Sequence, residues 1–205
     1  VLTVLGGHKR IREGVLPPVG VGYLAAELEA RGHRVELLDA PAMGWDLQQT
    51  TDHIVASDAH IAGISCVTVR SGAAYALARA IKARDGERLL VMGGPHVTAF
   101  HEHILDECPD IDVLFPGEAE YTFADFVDAV AAGQSWENLL GLVYRDESGA
   151  VHHTTPQPLT RNLDALRPPA RNLYARDFYR PLPSQGRRFP STIMLTSRGY
   201  SWSKC

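Results

Sequence analysis

Cysteine is scarce in this sequence, and that scarcity sets the first limits. Three cysteines in 205 residues, at 66, 108 and 205, are odd in number and far apart, so no disulfide framework is expected to hold the fold. A reducing, cytoplasmic setting is the simpler expectation. Long apolar runs are missing too. The longest are strand-sized, well short of a bilayer crossing, and no basic stretch followed by an apolar one opens the chain as a secretory leader would. An excess of positive charge is also lacking. Lys and Arg number 20 against 24 Asp and Glu, a net charge of −4, which gives no electrostatic reason to expect nucleic acid as a partner. The histidines at 96, 101, 103, 152 and 153 share no ligand spacing, which argues against a protein-borne zinc site. What is present is a chain 45% hydrophobic and 21% charged, enough to bury a core without disulfides or structural metal.

Short runs rich in Val, Ile and Leu fall at residues 1–5, 34–38, 61–65, 88–92 and 112–115, as expected of strands covered on both faces. Between them, apolar residues recur at helical spacing over 20–31, 47–55, 71–83 and 121–131, with a shorter stretch at 102–107. Strands alternating with helices imply parallel pairing through right-handed crossovers. The expectation is a doubly wound α/β domain with a five-stranded parallel sheet over residues 1–134. From 135 the pattern changes. "GLVYRDESGAV" reads as a hairpin around Glu147, Ser148 and Gly149, and the proline-rich stretch after it, to about 190, as an extended linker. Residues 191–197 are strand-like again. A first residue of Val rather than Met hints at a missing start.

In a doubly wound sheet, ligands bind outside the carboxyl ends of the strands. The residues after the five predicted strands are "GGHKR", "DAPAMG", "SCVTVRSG", "GGPHVT" and "PGEAE". Gly6 and Gly7, Gly93 and Gly94, and Gly117 put bare backbone at three of these tips, which lets something flat or bulky approach the main chain, or simply makes tight turns. Nucleotide loops fit poorly: "GGHKRIREG" is neither G-x-G-x-x-G nor G-x-x-x-x-G-K-[ST]. Ser65, Thr68 and Ser71 can donate to a ligand or form turns.

The segments "PPVGVGYLAAELEARGHRVELLDA", "GISCVT", "VMGGPHVTA" and "PGEAE", followed by the hairpin and "NLDALRPPARNLY", resemble in order and spacing the cobalamin-binding domain attached to radical S-adenosylmethionine enzymes. The resemblance runs over essentially the whole chain. It implies a Rossmann-like, flavodoxin-like cobalamin-binding fold, with the corrin across the strand tips and its nucleotide tail inserted toward the sheet. By the same resemblance Ser65 and Thr68 would hydrogen-bond the tail, and Gly93 and Gly94 would leave room for it. Gly6, Gly7, Pro18, Asp39, Val67, Pro95 and Gly117 would lie beside the ligand. Glu118 would accept from a corrin amide or cap the helix beginning near Tyr121. Cobalamin domains of the familiar kind carry D-x-H-x-x-G after the second strand, the His ligating cobalt. Here 39–44 keeps Asp39 and Gly44, but Pro41 stands at the histidine position and has no lone pair for a metal. The implied state is base-off cobalamin without a protein histidine. His96 is the candidate substitute, or an ordinary hydrogen-bonding group. Arg70 is placed near the lower corrin face, where it would deter a sixth ligand.

The resemblance also implies that "TSRG" at 196–199 enters a radical barrel, absent here, where three cysteines would hold a [4Fe–4S] cluster that binds S-adenosylmethionine. Tyr200 stands where the first of them belongs. Cys205 is then either a remnant of that motif or an inert terminal thiol. One cysteine cannot assemble the cluster, so this chain alone is not expected to be catalytic. The parent is expected to be a methyltransferase, with the barrel as partner and no nucleic acid or membrane involved. The alternatives are a flavin- or nucleotide-binding module and a ligand-free docking domain.

Overall fold

The computed structural model describes residues 2–4, 16–179, 182, 184 and 192–199. The apolar runs become strands β1 Leu2–Val4, β2 Leu37–Asp39, β3 Ile61–Ser65, β4 Leu89–Gly93 and β5 Val113–Phe115. They pair in parallel in the order β2-β1-β3-β4-β5, so the winding reverses between β1 and β3. Helices α1 Val19–Ala30, α2 Ala40–Met43, α3 Leu47–Ala56, α4 Ser71–Lys82, α5 Pro95–Glu107 and α6 Glu120–Ala131 connect them. The doubly wound α/β reading therefore holds. The hairpin, β6 Val143–Arg145 and β7 Val151–His153, extends the same sheet: β6 pairs antiparallel with β5, giving seven strands. Leu142, Val143 and Tyr144 are buried, and pairing there covers an edge that β5 would otherwise expose.

Side chains alternate across the sheet. On one face Ala62 and Ile64 of β3 and Leu90 and Met92 of β4 pack with Leu77 and Ile81 of α4 and Val97 and Ile104 of α5. On the other, Val91, Val113 and Phe115 pack with Ala25 and Leu28 of α1 and with Phe123 and Phe126 of α6. Phe115 meets Phe123 and Phe126 edge-on, with centroids 5.2 and 5.3 Å apart, the arrangement aromatic quadrupoles favour.

Helix α5 is longer than its sequence pattern suggested. It starts at Pro95, a residue suited to the first helical position, and Phe100 at φ −133° and ψ 15° interrupts it. The interruption broke the apolar period that would have revealed its first turn. Gly94 precedes it at φ +98° and ψ −177°, a region essentially reserved for glycine. A Cβ there would lie 2.8 Å from the Cys66 carbonyl oxygen and 3.1 Å from its nitrogen. The space a Cβ would occupy at Gly94 is therefore taken by the β3 tip.

The proline-rich segment docks on α1 through short 3-10 turns, among them Arg171–Leu173 and Arg176–Phe178. The Ala170 N–H donates to the Gly22 carbonyl at 2.9 Å. The Tyr174 hydroxyl donates to the Pro18 carbonyl at 3.0 Å. The Tyr179 hydroxyl donates to Asp39 Oδ2 at 3.0 Å. A Cβ on Gly22 would collide with the Tyr174 hydroxyl, so this glycine is what lets the segment lie against the helix. Residues 192–197, expected to be strand-like, form no strand among the described residues. Gly6, Gly7, Tyr200 and Cys205 lie outside the described residues.

Gly94→Ala is expected to cost about 2–4 kcal/mol, combining a glycine-only backbone with a clash against main chain. Gly93→Ala, whose Cβ would meet Phe115 at 3.6 Å, is expected to cost less than about 1 kcal/mol. Urea unfolding of the two variants checks the contrast.

Candidate functional site

On the α1/α6 face, the side chains shrink toward the carboxyl ends of β3 and β4. The inward positions run Ile61, Gly63, Ser65 on β3 and Leu89, Val91, Gly93 on β4. Above Gly63, Ser65 and Gly93 the sheet cannot reach the helices, and a cleft of about 320 Å³ remains. Val21 and Leu24 of α1 and Phe123 of α6 wall it. Val21, Val91, Phe115 and Phe123 are each at most 5% exposed, so the interior is apolar. Ser65 contributes a hydroxyl for which the structure gives no side-chain hydrogen bond among the described residues.

Charge collects at one part of the lining, where Glu118, Glu120 and Arg198 come together. Arg198 hydrogen-bonds Glu120, lies 3.4 Å from Glu118 Oε1, and stands 5.4 Å from the centroid of the Tyr23 ring. Glu118 Oε2 accepts from the Thr160 N–H at 2.7 Å. The expected capping role is not seen: α6 opens at Ala119 with no side-chain cap. Burial by itself would raise the Glu118 carboxyl, but hydrogen bonding from Thr160 and the Arg198 guanidinium outweigh it and hold Glu118 below its ordinary value. The Glu120 hydrogen bond and the nearby carboxylates raise Arg198 against the effect of burial. The three charged groups are thus mutually satisfied.

Of the residues singled out in the sequence, Ser65, Gly93, Gly94, Pro95, Gly117 and Glu118 line this cleft. Pro18 and Asp39 do not. They border a smaller hollow of about 70 Å³ with Tyr174 and Tyr179. The 39–44 stretch is a closed helical turn: Asp39 caps α2 by accepting from the Ala42 N–H at 3.1 Å, and Gly44 ends it at φ 70°. Burial pushes the Asp39 carboxyl up, against the Ala42 and Tyr179 hydrogen bonds, and both carboxylate oxygens are engaged within the protein. Val67, Thr68 and Arg70 sit in the exposed turn after β3, outside the cleft lining. His96 packs on the opposite face of the sheet, between Tyr75 and Phe100. The Tyr75 hydroxyl donates to Glu107 at 2.9 Å, so His96 Nε2, 3.0 Å away, donates to Tyr75. That makes His96 the hydrogen-bonding group rather than a residue of the cleft. Its Nδ1 is buried without a partner among the described residues. Burial raises the Cys66 thiol to about 11, which leaves no ready thiolate there.

Sequence reasoning missed the helix walls, Val21, Leu24 and Phe123, because ordinary amphipathic spacing does not mark a helix face as lining a cleft. It also missed Arg198. Gly63 had a signal: a glycine inside an apolar strand marks a close approach.

The profile of the B12 binding domain matches residues 10–127. An uncharacterized methyltransferase of Pyrococcus horikoshii is 35% identical over 191 residues, 93% of this chain and 40% of its own length. The chain belongs to the B12-binding domain family. Cobalamin is the family's ligand, which sets aside the flavin alternative. The anaerobic magnesium-protoporphyrin IX monomethyl ester cyclase of Rubrivivax gelatinosus is 29% identical over 160 residues, 76% of the chain and 29% of the cyclase. Among solved structures, the cobalamin-dependent S-adenosylmethionine radical enzyme OxsB, with aqua-cobalamin and S-adenosylmethionine bound, superposes with a TM-score of 0.70 at 20% identity. That match covers 82% of this chain and 23% of OxsB, and it shows the shared fold. No helix among the described residues is long and apolar enough to cross a membrane.

Because Glu118 is held below its ordinary value of 4.5, its stabilising effect is full above that value and lost as pH falls through the folded-state value. Hydrogen exchange in residues 192–199, corrected for intrinsic rate, is expected to rise as pH falls from about pH 5 to about pH 3. Glu118→Gln should flatten that rise, and a rise of equal size in the variant would discount Glu118 as its source.

Proposed function

We propose that the chain is the cobalamin-binding module of a radical S-adenosylmethionine enzyme, a methyltransferase in its full length. The observation that carries this reading is the cleft over Gly63, Ser65 and Gly93, beside the strand tips where this fold takes its ligands. At about 320 Å³ it is at the lower end of small-molecule pockets. That is too small for a corrin and suited to the nucleotide tail. The residues present fit the cofactor: a sheet floor without side chains at Gly63 and Gly93, a Ser65 hydroxyl uncommitted among the described residues, and apolar walls.

Gly93 and Gly63 leave the depth that a flat base occupies. Ser65 supplies its hydroxyl to that base. Val21, Leu24 and Phe123 exclude water from it. The tips of β3, β4 and β5, with Gly94, Pro95 and Gly117, would hold the corrin, and Val67, Thr68 and Arg70 would stand on the neighbouring turn. A cofactor whose base entered the cleft would be base-off. Pro41 has no lone pair to replace that base, and His96 lies on the other face of the sheet with Nε2 engaged by Tyr75. When bound, cobalamin supplies a cobalt-borne methyl group. The [4Fe–4S] cluster and S-adenosylmethionine belong to the remainder of the parent enzyme.

The test is reconstitution with hydroxocobalamin. Visible spectra and, after one-electron reduction, electron paramagnetic resonance should report base-off cobalt without nitrogen splitting. Nitrogen splitting, or no uptake, counts against the reading. Gly93→Val fills the cleft without backbone strain and is expected to lower cobalamin affinity at least about tenfold while keeping the fold. Equal affinity in that variant would put the tail elsewhere.

A further inference from the structure

We infer that the cleft selects the base of its cobamide, taking a largely apolar benzimidazole and disfavouring a purine. The inference rests on the cobalamin reading above and concerns the identity of the bound base. Four of the cleft's side chains, Val21, Val91, Phe115 and Phe123, are at most 5% exposed, so a base inserted among them leaves water behind. The charged groups in the lining offer it little. Glu118 is held by Thr160 and Arg198, and Glu120 by Arg198. Among the described residues, that leaves Ser65 as the one side chain in the cleft with an uncommitted polar group.

One hydroxyl matches one ring nitrogen. A benzimidazole joined to its ribose through one nitrogen has a single ring nitrogen left, and its remaining edge is carbon. An adenine joined in the same way keeps three ring nitrogens and an exocyclic amine. Each polar atom taken from water without a partner opposes binding. An apolar pocket discriminates against added polar groups only moderately, on the order of ten- to a hundredfold. Benzimidazole carbon also gains from the edges and faces of Phe115 and Phe123, whose rings stand at 84° to one another.

The experiment compares the dissociation constants of cobalamin and of the adenine-based cobamide on the same chain by titration calorimetry. Dimethylbenzimidazole riboside and adenosine serve as cobalt-free competitors. The expected result is tighter binding of cobalamin by about ten- to a hundredfold, with displacement by the benzimidazole nucleoside and not by adenosine. Ser65→Ala should weaken cobalamin by roughly two- to tenfold. Equal affinity for the two cobamides, or a preference for the purine, overturns the inference while leaving cobalamin binding intact. Failure of both cobamides to bind overturns the underlying reading and this inference with it. Unchanged binding in Ser65→Ala overturns the role given to the hydroxyl.

Discussion

A sheet face can be emptied only at alternate positions, and the site depends on that constraint. Gly63, Ser65 and Gly93 share the α1/α6 face near the ends of β3 and β4. Ile64 and Met92, one residue away on the same strands, point to the other face and are buried there. A bulky side chain at 63, 65 or 93 would fill the cleft, whereas one at 64 or 92 supports the core beneath it. The same two strands therefore hold the domain together and leave it open, without trading one property for the other. The helices are kept from collapsing onto the gap by the Phe115, Phe123 and Phe126 cluster beside it.

The rim is fixed as firmly as the floor. The Thr98 hydroxyl donates to the Gly94 carbonyl at 3.2 Å and accepts from the Gly117 N–H at 3.0 Å, tying the tip of β4 to that of β5 through the first turn of α5. The Cys66 N–H donates to the Gly93 carbonyl at 2.9 Å, and the His96 N–H to the Cys66 carbonyl at 3.1 Å, joining β3 to the same assembly. Three strand tips are thus linked, by backbone groups and the Thr98 hydroxyl, before any ligand arrives, which lowers the ordering cost of binding.

How much of this was legible in the sequence depended on whether a feature is local. The five parallel strands and most helices follow from short-range apolar periodicity, and the 146–149 turn from Ser148 and Gly149. Gly94 stands out in the sequence as bare backbone at a strand tip. Only the fold reveals its φ of +98° and that Cys66 fills the space where a Cβ would go. By resemblance Asp39 would lie beside the ligand, and Glu118 would accept from a corrin amide or cap α6. Each is engaged by a residue more than forty positions away, Tyr179 and Thr160, and sequence spacing carries no trace of such pairings. The hairpin's place at the sheet edge was hidden for the same reason: the register of β6 on β5 depends on tertiary burial.

The proline-rich segment is more than a tether. Its anchors lie on α1, whose Val21 and Leu24 wall the cleft, at Gly22 and at Pro18 just before the helix. From there Arg171 hydrogen-bonds Thr192 and the Ile193 carbonyl, the latter at 2.8 Å. That holds 192–199 where Leu195 and Arg198 reach the cleft. One helix and one arginine therefore belong both to the cleft and to the route by which the chain continues. Leu195 and Arg198 are thus common to the cleft lining and to the 192–199 segment, so the packing of that segment and the shape of the cleft are set by the same side chains.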